Sequence, residues 1–562
     1  MRAAPMKKFV PGIGESDFRS FREAGYSYVD KSSLISDILA DSSKVLLFPR
    51  PRRFGKTISL SMLGYFLGKS KEDLSSLFEG LSVWQDEGAR KHFQRYPVIS
   101  VTFKDVKAKT FEDVIAGIYE QIHAAFLGHR HLLDDGCLDD ATAADFRRLL
   151  AREVPKAELP YAFKWLSHAL YKHYGERVVI LIDEYDTPVQ SGYLYEFFDD
   201  IVLFFRNFFS ACLKDNSALF KGVLTGILRV SKENMFSGLN HIMVHSIIDT
   251  KYSTAFGFTE DEVAAIIEPE RLDEVRTWYN GYLFGGHVIY NPWSILHYID
   301  EGLLKPYWVN TASSDLIEQL AARRGLGLTR MSEELLRGEA IDVPIDSNIV
   351  LRDIDKNEEA LWNFLLFAGY LKPVALRMEM GEYSASLAIP NVEVRIVYRQ
   401  MFRNWLYHAA PSRLYIDDLI KALFEGNAAI VQKHLQKIMV TAMSYQDPAG
   451  KEPEKLYHGF MLGLMVHLES EYDVRSNQES GYGRADMLIR PKKPGKPGVV
   501  MEFKVREDDE TVEQVLKEAA QQVRDRKYAT DLVAAGASVV HEFAMVFDGK
   551  QAYVKRVDEL LQ

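Results

Sequence analysis

Cysteine is almost absent: Cys137 and Cys212 are the two in 562 residues. They allow one disulfide at most, and they stand at no metal-ligand spacing. A disulfide-built scaffold is thereby excluded, and with no Cys/His cluster in the sequence a tetrahedral zinc enzyme is not expected. Excess basic charge is also lacking, with a formal net charge of −11 and a pI near 5.8. A protein that coats nucleic acid indiscriminately would be basic; local basic patches could still meet phosphate. No stretch reaches the roughly 20 apolar residues of a membrane span. The most apolar segment, Leu194 to Leu213, is broken by Glu196, Asp199, Asp200 and Arg206. It reads as a buried amphipathic helix. Met1 to Lys8 is basic with no apolar run behind it, so no signal peptide is expected. Repeats and low-complexity tracts are missing as well. The expectation is a cytoplasmic protein, without a membrane partner, of three or four domains at roughly 100–200 residues each.

What is present is an alternation of short apolar strands with helices. Between Lys44 and Ile248 the pattern predicts strands at Lys44–Phe48, Pro97–Phe103, Val178–Ile182, Ala218–Thr225 and Ile242–Ile247. Helices are predicted at Thr57–Phe66, Phe111–Phe126 and Tyr195–Lys214. Such alternation implies a parallel sheet covered on both faces. Thr259, with Glu262 three residues on, predicts a capped helix start. From there to about Ser444 the chain reads as mainly helical, with strand-like breaks such as Ser384–Ile389. After a linker-like Asp447-Pro448-Ala449-Gly450 come a helix (Glu454–Glu469), strands (Asp473–Asn477, Ala485–Ile489, Val499–Val505), a helix (Val512–Tyr528) and a last strand (Glu542–Phe547). The expected division is 1–255, a P-loop domain; 256–445, a helical lid and middle region; and 450–562, a compact α/β domain.

The strand ending in Phe48 runs into Pro49-Arg50-Pro51-Arg52-Arg53-Phe54-Gly55-Lys56-Thr57 and then a helix. Strand, loop and helix is the context in which backbone N–H groups and a helix dipole hold phosphates. Arg53, Phe54 and Gly55 would line that loop, Lys56 would reach the β/γ-phosphates, and Thr57 would ligate Mg²⁺. Arg50 stands where the full motif has its first glycine. Further on, the apolar strand Val178–Ile182 ends in Asp183-Glu184. Asp183 suits a metal ligand and Glu184 a general base for an attacking water. The strand Ala218–Thr225 brings a third polar end, Thr225, with Arg229 after it; both are candidates for sensing the γ-phosphate.

Near the C-terminus, Asp486 lies on one strand, and Glu502 and Lys504 follow sixteen and eighteen residues later on the next. Residues two apart on a strand share a face. An acid in the apolar run Val499–Val505 is costly unless paired or bound to a metal. Two carboxylates and a cation fit divalent-metal chemistry on a phosphodiester, with Lys504 orienting water or neutralising charge. The stretch Arg484–Glu507 carries a local excess of four positive charges, and Arg490–Lys496 reads equally as a run that tracks phosphates or as a solvated turn.

Two resemblances follow from these residues. The AAA-ATPase-like family, found widely in gut and anaerobic bacteria, is similar at Asp17-Phe18 and Tyr28-Val29-Asp30-Lys31. Arg50 to Thr57, Asp183-Glu-Tyr-Asp-Thr-Pro188 and Thr225-Gly-Ile-Leu-Arg229 continue the likeness. So do Phe236 to Asn240, Phe256-Gly-Phe-Thr259 and Trp278-Tyr-Asn-Gly-Tyr282. It covers roughly the first 310 residues, and the family's own P-loop is likewise arginine-rich without the first glycine. The C-terminal part resembles the PD-(D/E)xK nuclease superfamily, in its version fused to such ATPases. Tyr457-His-Gly-Phe460, Glu479 to Asp486, Glu502-Phe-Lys504 and Gln522 to Tyr528 carry that likeness. It implies a restriction-endonuclease-like fold with Asp486, Glu502 and Lys504 as catalytic core. Glu454 is implied as a further metal ligand and Gln522 as support; Ala485 stands where the superfamily name has proline. Together these imply ATP and Mg²⁺ as cofactors and nucleic acid as partner, DNA before RNA, with a homo-oligomer left open. The competing expectation is an ATP-dependent signalling or assembly switch whose C-terminal domain binds without cutting.

Overall fold

The computed structural model describes residues 9–561 except 135, 137, 229–234, 236–240, 309–333, 336–337, 347–350, 352–353, 355–356, 410–412, 443–456, 458–460, 462–463, 466–467, 469–470, 481–482 and 508. Cys137, Arg229 and Glu454 lie outside the described residues, as does most of the expected helix Glu454–Glu469. The chain divides into two units, residues 1–316 with 342–394, and residues 317–341 with 395–562.

In the first unit, β1 (Val45–Pro49), β2 (Val98–Thr102), β3 (Val178–Asp183), β4 (Leu219–Gly226) and β5 (Ile242–Val244) form one sheet in the order β2-β3-β4-β1-β5. Every pairing is parallel. All residues of β1 and β3 are buried, which is why these strands read as continuous apolar runs rather than alternating ones. The helix Lys56–Leu67 starts in the turn after β1. The long helix expected at Tyr195–Lys214 begins later, at Phe198, because Glu196 takes a left-handed φ of 66°. It widens into a π-turn over Ser210–Lys214. It buries Phe205, Phe208 and Phe209 and exposes Asp199 and Asp200. Among the described residues no helix is long and apolar enough to cross a membrane. Cys212 is buried in the π-turn, and burial pushes its thiol pKa up.

Thr259 caps the helix Glu260–Ala264 with a full capping box to Glu262, as its spacing predicts. The middle region also carries two small sheets beside its helices. One has the order β6 (Phe258–Thr259), β8 (His287–Tyr290), β7 (Tyr282–Phe284); the other β10 (Lys372–Glu379), β11 (Glu382–Ala388), β9 (Ile341–Ile345). The strand-like break Ser384–Ile389 falls on β11. β9 alternates buried and exposed residues over Ile341–Ile345 and could have been read as a strand, whereas β6, β7 and β8 are short and β10 is largely exposed.

The second unit holds β12 (Tyr472–Ser480), β13 (Gly483–Pro491), β14 (Gly498–Val505), β15 (Val540–Asp548) and β16 (Gln551–Arg556), in sequential order. Only β14 and β15 pair in parallel. The helix Val512–Arg526 is their crossover, as parallel neighbours require. β16 adds a strand beyond the expected last one, through a turn in which Gly549 takes φ 55°. β14 faces two cores. Val499, Met501 and Phe503 join one with Met487, Phe543 and Met545. Val500 joins the other with Leu488, Ala544 and the crossover-helix residues Val515 and Ala519. Glu502 and Lys504 therefore share the face of Val500, toward the crossover helix.

Candidate nucleotide and metal sites

The strand order inserts β4 between β1 and β3, so three C-terminal strand ends meet. There the Asp183 carboxylate accepts from two threonines, Thr57 Oγ1 at 2.7 Å and Thr225 Oγ1 at 2.5 Å. Asp183 is buried, and burial holds its pKa above the usual carboxylate value against those two hydrogen bonds. A buried acid that two hydroxyls and the nearby charge of Lys56 only partly offset fits a divalent cation, which would supply further positive charge. Glu184, next in sequence, is half-buried and takes a left-handed φ of 49°. That strained turn swings its side chain off the strand.

The loop Arg50–Gly55 is built by where its carbonyls go. Lys56 Nζ donates to Arg50 O and Pro51 O, both at 2.9 Å. Arg52 O accepts from Trp308 Nε1 at 3.2 Å and Asn291 Nδ2 at 3.4 Å. Phe54 O accepts from Gly257 N, and Gly55 O from Ser59. Carbonyls tied away in this manner leave the helix N-terminus electropositive, as a phosphate site needs. Gly55 takes φ 85° at the N-cap, and Arg53 φ 66° before it. Lys56 is buried, and burial lowers its pKa while Glu184, Asp183 and Asp186 raise it.

The other predicted loop residues divide. Phe54 is buried against Tyr282 and Phe284, so its side chain serves the core and only its backbone faces the loop. Arg53 is exposed, its guanidinium 4.2 Å above the Trp293 ring. Arg50, in the place of the missing glycine, is fully buried. Its guanidinium donates to Pro49 O, to His245 O (2.6 Å) and to Tyr252 O (3.1 Å), beside the rings of Phe256 and Phe284. Desolvation lowers its pKa to about 10. Arg50 thus anchors the loop from beneath. Restoring the motif's letter with Arg50→Gly is expected to destabilise the chain by about 2–3 kcal/mol, through three orphaned carbonyls. Chemical denaturation of the full chain checks it; a stability equal to wild type would refute the anchor.

Sequence reasoning missed the outer clamp on this loop. Gly257 takes φ 81°, and a Cβ there would stand 2.3 Å from Ile289 and 2.9 Å from Phe54. Pro51 packs against Gly369, where a Cβ would come within 2.8 Å of it. Trp308, which holds Arg52 O, is itself held: its backbone N–H donates to Glu393 at 2.7 Å, and Ser294 donates to the same carboxylate. The motif Phe256-Gly-Phe-Thr259 was the one legible trace of this clamp. Glu393 is fully buried, and burial pushes its pKa up to about 7. Between pH 4.5 and 7 the folded state holds a proton here that the unfolded state releases, so stability falls as pH rises through that window. The stability difference between wild type and Glu393→Gln should shift by up to roughly 3 kcal/mol across it. A pH-independent difference in denaturation midpoints would refute this.

In the second unit, β13 and β14 pair in register up to Met487 opposite Met501. Beyond that point Phe503 N donates to Asp486 Oδ2 at 2.7 Å instead. The carboxylate takes the place of a ladder carbonyl, which fixes Asp486 against the Glu502 strand end. Glu502 is buried and Lys504 half-buried on the same face. Tyr528, to which sequence reasoning gave no role, is buried here. Burial raises its hydroxyl pKa, and the charges of Glu502 and Asp486 add to that; Gln522 Nε2 donates to it at 3.4 Å. Gln521 instead bonds Asp525 on the exposed side. Two neighbouring carboxylates of hard oxygen character fit Mg²⁺, which keeps several waters. Among the described residues no group of three His, Cys, Asp or Glu converges as a metal cage.

The basic run needs a correction. Arg490–Lys496 starts at the far end of β13, about 13 Å along the strand from Asp486. Lys496 pairs with Glu471 at 2.7 Å, and Arg490 lies 3.9 Å from Asp473. Its charge is partly neutralised, and it does not adjoin the acids.

A parallel sheet with a P-loop, a strand-end Asp-Glu pair and a threonine on an inserted strand defines a P-loop ATPase-type domain; the second unit defines a mixed-sheet domain with paired strand acids. Residues 12–236 match the family described as predicted AAA-ATPase, and residues 452–557 match the PD-(D/E)XK nuclease superfamily. The chain therefore joins an AAA-ATPase-like domain to a PD-(D/E)XK superfamily domain. It is similar to an "Uncharacterized protein in vnfD 5'region" of Azotobacter chroococcum mcd 1, 28% identical over 549 residues and 95% of each chain. A solved structure of the Aeropyrum pernix ORC2 protein, titled as ADPNP-ADP complexes, is 10% identical. It covers 70% of this chain and 97% of its own, with a TM-score of 0.22; a superposition that poor says nothing of fold.

Proposed function

We propose that the chain binds and hydrolyses Mg·ATP in its first unit, and that this controls Mg²⁺-dependent phosphodiester cleavage of nucleic acid, DNA before RNA, in its second. The observation that carries the first half is the Asp183 carboxylate shared by Thr57 and Thr225 at three adjacent strand ends. In this reading Lys56 and the helix N-terminus hold the phosphates, and Thr57 and Asp183 hold the cation. Glu184 takes the proton of the attacking water, and Thr225 contacts the γ-phosphate end. Mg²⁺ would supply charge neutralisation there. At the second site Asp486 and Glu502 would hold the cation, which would supply an acidified water, and Lys504 would neutralise charge at the phosphodiester.

The test is cleavage of DNA and of RNA by the purified chain, in Mg²⁺ and in Mn²⁺, with and without ATP. Cleavage that ATP changes supports the reading. The alternative, an ATP-dependent assembly switch that binds without cutting, draws on the partly neutralised basic loop remote from the acids. It predicts no cleavage and an ATP-dependent change in size on gel filtration.

A further inference from the structure

The turn after β3 is more elaborate than a strand end needs. Thr187 Oγ1 donates to Glu184 Oε2 at 3.3 Å, and Thr187 N to Glu184 O at 3.1 Å. Thr187 is 3% exposed, so its hydroxyl has no bulk water to turn to. Asp186 is 1% exposed, and one of its oxygens accepts from Ile227 N and Leu228 N, both at 3.0 Å, and from Gln190 Nε2 at 3.0 Å. Its other oxygen has no hydrogen-bond partner among the described residues. That oxygen lies against Gly226, where a Cβ would come within 2.6 Å of it. Tyr185 completes the tie: its backbone N–H donates to Thr225 O at 3.2 Å, and its hydroxyl to Leu228 O.

A buried carboxylate, offset only in part by the nearby charge of Lys56, is an expensive way to hold a loop. Its three donors all belong to the β4 exit or to the helix Thr187–Leu194. The β3 turn and the β4 exit are therefore locked to each other immediately beyond Asp183 and Thr225. Thr187, the first residue of that helix, converts the lock into an aim for the Glu184 side chain.

We propose that Asp186 and Thr187 are positioning residues for hydrolysis: Thr187 orients the Glu184 carboxylate, and Asp186 fixes the turn that carries both against the β4 exit. Neither touches nucleotide. Their loss lowers turnover and spares binding, because the phosphate-holding groups lie on the β1 loop and its helix. The inference rests on Glu184 being the base.

The experiment measures steady-state hydrolysis and the affinity of a non-hydrolysable ATP analogue on the full chain. In Thr187→Val, an isosteric change, kcat should fall about 10-fold, with KM and analogue affinity within about twofold. Thr187→Ser should restore most of the rate, since it keeps the hydroxyl. Asp186→Asn, which keeps an acceptor oxygen, should retain more activity than Asp186→Ala. A merely structural role would lower analogue affinity together with kcat, and that result overturns the proposal. So does a wild-type kcat in Thr187→Val while Glu184→Gln is inactive; that pair leaves the base assignment intact. Hydrolysis at wild-type rate in Glu184→Gln, or no hydrolysis by the wild type, overturns the base assignment and this inference with it.

Discussion

Lys56→Ala is expected to weaken Mg·ATP binding about 100-fold, roughly 2.7 kcal/mol. Charge-assisted hydrogen bonds from an ammonium to phosphate are among the strongest single contacts a site makes. Here the ammonium is already desolvated, being 4% exposed, so little further desolvation opposes the contact. The resting hydrogen bonds to Arg50 O and Pro51 O hold Nζ inside the loop before nucleotide arrives. The same bonds complicate the variant, because alanine orphans both carbonyls. Lys56→Met fills the space without the charge but leaves the same two carbonyls unpaired, so both variants should fold with stability lowered by roughly 2 kcal/mol. Calorimetric titration with ATP in Mg²⁺ decides the matter. Unchanged affinity in both would rule out the loop as the phosphate site.

The second large effect lies at the other unit. Asp486→Ala should reduce metal-dependent cleavage by at least about 1,000-fold, the scale on which loss of preorganised charge acts. Asp486 has two roles that alanine removes together: its charge, and its acceptor for Phe503 N. Asp486→Asn separates them, since the amide oxygen still accepts that hydrogen bond. If the carboxylate binds metal, asparagine is as inactive as alanine. If its task is only to fix the strand end, asparagine cuts normally, and the metal assignment fails. Glu502→Gln should match Asp486→Asn, and the buried position of Glu502 makes the neutral substitution easy to accommodate.

Much of this was legible because it depends on local chemistry. The central strands β1, β3 and β4 of the first sheet could be read, since burial on both faces demands continuous apolar runs. The pairs Lys56-Thr57 and Asp183-Glu184 were legible at strand ends, and Glu502 stood out as an acid in an apolar run. Thr259 could be read as a cap from its spacing to Glu262. Arg50 could not be understood this way. It stands where the full motif has its first glycine, and only the fold shows three backbone carbonyls, from residues as far on as Tyr252, converging on it. Trp308 and Glu393 were equally silent, for both lie hundreds of positions along the chain from the loop they steady.

The sequence alone determined the two domain families and set out the candidate residues of each, because residue type and strand period are local properties. Tertiary structure decided how those residues are held. The strand order places Thr225 beside Asp183, the clamp from Gly257 to Glu393 holds the carbonyls of Arg52 and Phe54, and Tyr528 lies near enough to the second pair of acids to feel their charge. Each depends on which distant segments pack together, and packing between remote segments leaves no period or spacing in the chain for a reader to find.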